Sequence, residues 1–220
     1  MRIPILVLAI GCLAICGCGR SDQNTQATSS TTSGVATLTA EPRLGEGVLV
    51  VPLPAPAPVV VRLSSEPHLE AIQAGDDVAL VRVDGTFDAG YRPAPGTRLS
   101  VVDGDIEVRV NRADAASVEL PVITSLIDSA TWTTVDGGQR LVVVPGDLAR
   151  SRDPRLIEAA WREVITRQPG ADTPGMADQY RCHAQAVPDR AEFHLEPWRP
   201  AVGYAQTLLA RCNPGGPEPA

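Results

Sequence analysis

Apolar and polar residues alternate with strand period over most of the chain, and a clear helical period emerges only after residue 153. Gly47 to Leu53 and Val59 to Leu63 are short β-branched runs separated by Pro-Ala-Pro-Ala-Pro at 54 to 58, a stiff extended connector or an edge segment but not a central strand. The stretch from Pro67 to Ala74 reads as a helical turn. Val78 to Val83 runs into Asp84-Gly85. Arg98 to Val102, Asp103-Gly104 and Ile106 to Val110 form a hairpin pattern, with Ile106, Val108 and Val110 on one face and Glu107 and Arg109 on the other. Ser117 to Ile123 is a further apolar segment, and Ile127 to Val135 with Gln139 to Val144 is a hairpin across Asp136-Gly137-Gly138. Trp132 stands on that hairpin and is expected to face the helix that follows. The three Asp-Gly pairs are turn formers: the acid caps its own turn and the glycine takes positive φ.

The helical period covers 154 to 167, with Asp153 as N-cap and Pro154 at the first position, where its missing N–H costs nothing. Ile157, Ala160, Trp161, Val164 and Ile165 form its apolar stripe, and Pro169-Gly170 stops it. Tyr180, Cys182, Ala184 and Ala186 then alternate with polar neighbours, as do Phe193 and Leu195. Read as a hairpin about Pro188-Asp189, these segments set His183 across from His194 and Cys182 across from Leu195. Prolines 197 and 200 stiffen the run Glu196 to Pro200, which predicts Trp198 held in the core. Ala201 to Cys212 predicts an amphipathic last helix, with Val202, Ala205, Leu209 and Cys212 on its inner side.

The beginning of the chain changes the compartment. Met1-Arg2 precedes an apolar run to Ile15 that is short for a membrane span, and Ile15-Cys16-Gly17-Cys18 resembles a bacterial lipobox. The resemblance implies a signal peptide over 1–17 and a diacylglyceryl anchor on Cys18, in preference to Cys12 or Cys16. Residues 18–40 read as a flexible Ser/Thr/Gln-rich linker. Removal of the signal leaves Cys182 and Cys212 as an even pair in an oxidising compartment, the simplest disulfide assignment. Closing that loop stabilises the fold by roughly 3.5 kcal/mol. All nineteen basic residues are arginine, and the processed chain retains eighteen of them against twenty-six acids, a charge of −8. That balance argues against a nucleic-acid or general anionic-lipid partner, while leaving room for a local arginine patch.

The candidate chemistry is sparse. His183 and His194 on one polar face, with Glu196, are the weak catalytic candidates and would suit a hydrolase; two imidazoles with a carboxylate also have the donor types of a zinc site, although no metal or cofactor is assigned. Trp198 and Arg199 are the candidate binding residues. Nucleophile elbow, His-Glu-x-x-His pair and phosphate-binding loop are all missing from the chain.

Ser129-Ala130-Thr131-Trp132, Asp136 to Leu141, Val144-Pro145, Ala149-Arg150, Trp161, Met176, Gln179 to His183, Leu195 to Pro200 and Cys212-Asn213-Pro214 together resemble a domain of actinobacterial secreted proteins and lipoproteins, DUF2599. The resemblance covers about 125 to 214; it supports export and the Cys182 to Cys212 bond, and it brings no activity. The reading is an α+β fold, mainly an antiparallel sheet covered by one or two helices, with a disulfide-stapled C-terminal module. Its divisions are a β-rich region over 41–121, the DUF2599-like domain over 122–214 and a disordered tail over 215–220. The expected function is that of a noncatalytic, extracytoplasmic lipoprotein held to the bacterial membrane by its N-terminal lipid and binding an envelope protein or glycan. A secreted hydrolase with a His/Glu site and a small-ligand carrier are the alternatives.

Overall fold

The computed structural model describes residues 30–32, 35–39, 43–44, 47–53, 58–63, 66–111, 116–135 and 138–215. The expected signal peptide over 1–17, the expected lipidation at Cys18, most of the proline run at 54 to 58, Asp136-Gly137 and all but residue 215 of the expected tail over 215–220 lie outside the described residues.

In chain order the elements are β1 (Ser30–Thr32), β2 (Val35–Thr39), β3 (Arg43–Leu44), β4 (Val48–Pro52), β5 (Val59–Leu63), β6 (Leu69–Ala74), β7 (Asp77–Arg82), β8 (Phe87–Tyr91), β9 (Thr97–Val102) and β10 (Asp105–Val110). There follow β11 (Ser117–Ile123), β12 (Ile127–Val135), β13 (Gly138–Pro145), α1 (Pro154–Arg167), α2 (Pro174–Ala186), β14 (Phe193–Leu195) and α3 (Tyr204–Leu209). The fold is α+β, and among the described residues the strand pairs are antiparallel apart from β2 against β5. Three sheets have the orders β1-β2-β5-β10-β9, β3-β4-β11-β8-β7-β6 and β12-β13-β14.

The first two sheets enclose one core. Leu49, Val51, Val78, Leu80 and Leu120 from the six-stranded sheet meet Val59, Val61, Leu99, Ile106 and Val108 from the five-stranded one. The opposite face of β6 and β7 joins a second core: Ile72, Ala79 and Val81 pack with Leu156, Trp161 and Val164 of α1 and with Leu141, Val143, Phe193 and Leu195 of the small sheet. This is why Val78 to Val81 is a continuous apolar run; a strand buried on both faces has no polar side. Close approach seals the junction, since a Cβ on Gly90 of β8 would lie 2.3 Å from Leu148 Cδ1. Leu148 belongs to the short 3₁₀ turn Asp147–Arg150, and Arg92 Nη2 ties that turn to β7 by donating to Asp147 Oδ2 at 2.7 Å and Asp77 Oδ2 at 3.1 Å.

Several expectations stand as drawn. The hairpin over 97–110 turns at Asp103-Gly104 with φ of 53° and 86°, and β12 pairs β13 from Val135↔Gly138 back to Ile127↔Pro145. Asp153 caps α1, its Oδ1 accepting from the Arg155 N–H at 2.9 Å. Trp132 is half-buried against the core that α1 helps to form.

Five readings need correction. The segment 67–74 is strand β6 after a turn, not a helical turn: Leu69 and Ile72, three apart, look helical because each fills a different core, one on either side of the sheet. The linker reading of 18–40 extends too far, because Val35–Thr39 is a strand lying parallel to β5 with Ala36↔Val59. The segment 180–186 is the second half of helix α2, not a strand. Thr173-Pro174 repeats the N-cap and first-turn signature of Asp153-Pro154, and Thr173 Oγ1 accepts from the Met176 N–H at 3.3 Å. Of that proposed hairpin the Val187 to Arg190 turn forms, its Arg190 N–H donating to Val187 O at 3.1 Å, and Phe193–Leu195 is a strand, but it pairs with β13 and not with 180–186. The last helix is only six residues long and buries Thr207 alone, so the expected inner face of Val202 and Leu209 is solvent-facing. Trp198 lies at the surface, 36% exposed, rather than in the core.

Candidate functional site

The residues singled out in the sequence fall around the seam where β14, α2 and the chain after residue 195 meet, but they do not converge on one point. The register that pairs Leu141 with Leu195 brings Arg140, one residue earlier on β13, opposite Glu196, one residue beyond β14. Glu196 is only 1% exposed. Its Oε1 accepts from Arg140 Nε at 2.9 Å and Nη2 at 2.6 Å, and its Oε2 accepts from Arg199 Nε. Arg199 Nη1 also donates to the Pro214 carbonyl at 3.2 Å, which fastens the segment beyond the disulfide to the same cluster. Gln179 of α2 completes the arrangement: its Oε1 accepts from the Glu196 N–H at 2.9 Å and its Nε2 donates to the Glu196 carbonyl at 3.0 Å, so a side-chain amide continues the backbone pairing where β14 ends. A buried carboxylate whose two oxygens both accept from guanidinium donors is a structural anion, held by ion pairs rather than presented to a substrate as a general base.

His183 is on α2, 3% exposed, and its ring stacks on Phe193 with centroids 5.5 Å apart. Neither ring nitrogen makes a hydrogen bond of ordinary geometry, although the His194 backbone lies close enough to favour the protonated ring weakly. Burial, reinforced by the positive charge of Arg190, depresses its pKa to about 4. Tyr180, one turn earlier, is fully buried between Trp161 and Phe193, and its hydroxyl has no partner among the described residues; burial pushes that phenol upward. His194 is half-exposed and its Nε2 meets Glu192 Oε1 at 2.8 Å. The hairpin that would have set the two imidazoles face to face is absent, and no group of three or more metal-ligating side chains occurs among the described residues.

The sign of the His183 effect follows from linkage. Its folded pKa lies below the ordinary histidine value of about 6.5, so between that value and 4 the unfolded chain binds the extra proton. The associated stability is complete above pH 6.5 and is lost as pH falls toward 4. About 2 kcal/mol of stability is therefore expected to disappear between pH 7 and pH 5. His183→Phe keeps the stacked ring without the nitrogens, so urea titrations should show it more stable at pH 7 by about 1–2 kcal/mol and with a flatter pH dependence. Identical pH dependence in the two proteins would remove His183 as its source.

Cys182 of α2 and Cys212 are bonded, with their Cα atoms 5.4 Å apart. The bridge returns the chain from α3 to α2 through Arg211 and Cys212, both at positive φ. Trp198 packs over Gly138, where a Cβ would sit 3.2 Å from its ring, and the Arg199 guanidinium lies 4.5 Å from the indole centroid. Of the six large hydrophobic side chains exposed among the described residues, five fall in this one stretch: Trp198, Val202, Tyr204, Leu208 and Leu209, the last 77% exposed. Sequence reasoning assigned no role to Arg140, Gln179 or Tyr180. An arginine inside the apolar run of a strand was the available signal for the first, and the helical period of Met176, Tyr180 and His183 was the signal for the last.

The model of the family described as "Protein of unknown function (DUF2599)" matches residues 127–215, which contain Arg140, Gln179, Glu196, Arg199 and both bonded cysteines. An uncharacterized protein of Mycobacterium tuberculosis is 38% identical over 128 residues, 54% of this chain and 86% of its own length. The chain belongs to the DUF2599 family. An uncharacterized protein of Mycobacterium bovis shows the same identity and coverage. An uncharacterized protein of Mycobacterium leprae is 40% identical over 62 residues, 26% of this chain and 50% of that protein. No solved structure matches the chain. The charge cluster and the disulfide-closed exposed segment thus both lie within the DUF2599 region, whereas the two-sheet sandwich precedes it.

Proposed function

We propose that this DUF2599 protein is a noncatalytic lipoprotein of the cell envelope, anchored through Cys18 outside the cytoplasm, whose C-terminal face docks on another envelope component. The observation that carries the docking role is the concentration of exposed apolar side chains between Trp198 and Leu209 on a segment held by a disulfide and a buried charge cluster. A rigid apolar face is what a recognition surface requires, and leaving it in water has no folding advantage. The anchoring role rests on the lipobox-like Ile15-Cys16-Gly17-Cys18 after a short apolar run. The hydrolase reading loses support because Glu196 is engaged by two arginines and His183 is buried in the aromatic core.

Processing is tested by intact mass and fractionation. The N-terminus is expected at Cys18 carrying lipid, and Cys18→Ala is expected to release or misprocess the chain. An unmodified N-terminus downstream of residue 18 would sink the anchor. Docking is tested by placing a photo-crosslinking residue at 209 in intact cells, with position 83 as control, since Val83 is exposed on the β7–β8 turn. Adducts are expected from 209 and not from 83; equal adducts from both would leave the face without a role.

A further inference from the structure

The same face differs from the rest of the molecule in charge as well as polarity. The chain carries twenty-six acidic residues, yet none occurs between Pro197 and Gly215, where the charged side chains are Arg199 and Arg211. Arg199 is buried against Glu196, which leaves Arg211, exposed beside the apolar group, as the charge this stretch offers to solvent. On the helices, Arg181, which feels Tyr204 electrostatically, donates to Glu158 at 2.6 and 2.9 Å and lies 3.8 Å from Asp178. The apolar members are two amphipathic aromatics and three aliphatics, the set that sits favourably at the boundary between lipid headgroups and acyl chains. Among the described residues no helix is long and apolar enough to cross a membrane, so contact through this segment would be interfacial. Chain length adds an independent constraint. Eleven residues, 19–29, separate Cys18 from β1, and even fully extended they reach no more than about 40 Å.

The geometry points to an anionic lipid bilayer as the occupant of this face: Trp198, Val202, Tyr204, Leu208 and Leu209 enter the interfacial layer, Arg211 meets the headgroups, and the folded part lies against the membrane in one orientation. This rests on the docking reading above and names the component that is docked upon. The Cys18 lipid holds the protein at the membrane, and the apolar face decides which surface of the domain is left to the aqueous side.

The test uses the chain from residue 19 to 220, which lacks the anchor and keeps every described residue, with vesicles of phosphatidylcholine alone or mixed with phosphatidylglycerol. Co-sedimentation is expected with the mixed vesicles and more weakly with phosphatidylcholine alone, together with a blue shift of tryptophan emission that is absent in Trp198→Phe. Leu208→Asp/Leu209→Asp is expected to weaken binding at least about tenfold with an unchanged melting curve, since both side chains are exposed. Arg211→Gln is expected to remove the preference for phosphatidylglycerol alone. Absence of binding to either vesicle, binding that survives the double aspartate variant, or a dimer seen by light scattering that depends on the same leucines would each overturn the assignment, the last giving the face to a second copy. If vesicle binding fails while the native protein still fractionates with membranes through Cys18, the bilayer inference falls and the anchored-lipoprotein reading stands. Vesicle binding by a protein whose native form carries no lipid on Cys18 would instead uphold the bilayer inference and remove the anchor.

Discussion

Glu196→Ala is expected to destabilise the protein by about 3–5 kcal/mol, because it leaves the Arg140 and Arg199 guanidiniums in a buried seam without the carboxylate they share. The magnitude is set by desolvation. Two cations kept from water gain nothing from the missing anion, whereas an exposed pair such as Arg155 with Glu70 would cost at most about 1 kcal/mol to break. Urea titration measures the loss, and Glu70→Ala, which breaks the Arg155 pair alone, serves as the surface comparison. If Glu196→Ala unfolds within about 1 kcal/mol of the parent, the carboxylate is not what holds the seam. The cluster also specifies register: Arg140 can meet Glu196 only when Leu141 faces Leu195, so a slip of β14 by one residue separates the charges as well as inverting Phe193 and Leu195.

Cys182→Ala is expected to cost about 3.5 kcal/mol through the 30-residue loop that the bond closes. Its effect should be uneven. α3 has six residues, fewer than an isolated helix needs to persist, and buries one side chain, so it depends on the bridge and on Arg199 for its position. Hydrogen exchange over 204–212 is expected to approach unfolded rates in the variant, while β13 and α1 keep their protection. Uniform loss of protection across both regions would show instead that the bond stabilises the whole domain as one unit. The anchoring proposed for Cys18 predicts that Cys182→Ala fractionates with membranes as the parent does, which separates the disulfide from the proposed anchor.

How much of this was legible depended on whether a residue's environment is set by its neighbours in sequence. The hairpin at Asp103-Gly104 was legible because a two-residue turn fixes its own register. The α1 helix was legible because Asp153 and Pro154 mark its start and its stripe repeats at helical period. α2 was not, although Thr173-Pro174 carries the same mark. The alternation of small and polar residues from Tyr180 to Ala186 imitates a strand, and burial of Gln179 and His183 on the core side blurs the helical stripe. With the strand gone, the apparent pairing of His183 with His194 had no basis.

By itself the sequence determined the elements whose signals are local: the tight turns, the capped helix, the alternating strands, the cysteine pair and the α+β class. Tertiary structure alone decided the rest. It gave Ile72, Ala79 and Val81 to a second core on the far side of their sheet. It turned Glu196 from a candidate base into the shared anion of two arginines fifty-six and three residues away in sequence. It left Trp198, Val202 and Leu209 in solvent, where amphipathic period had put them inside. Period along a short segment specifies that one side differs from the other. Which side is buried depends on what lies across from it, and here that is a disulfide, a charge cluster and a single threonine, too little surface to cover the apolar side.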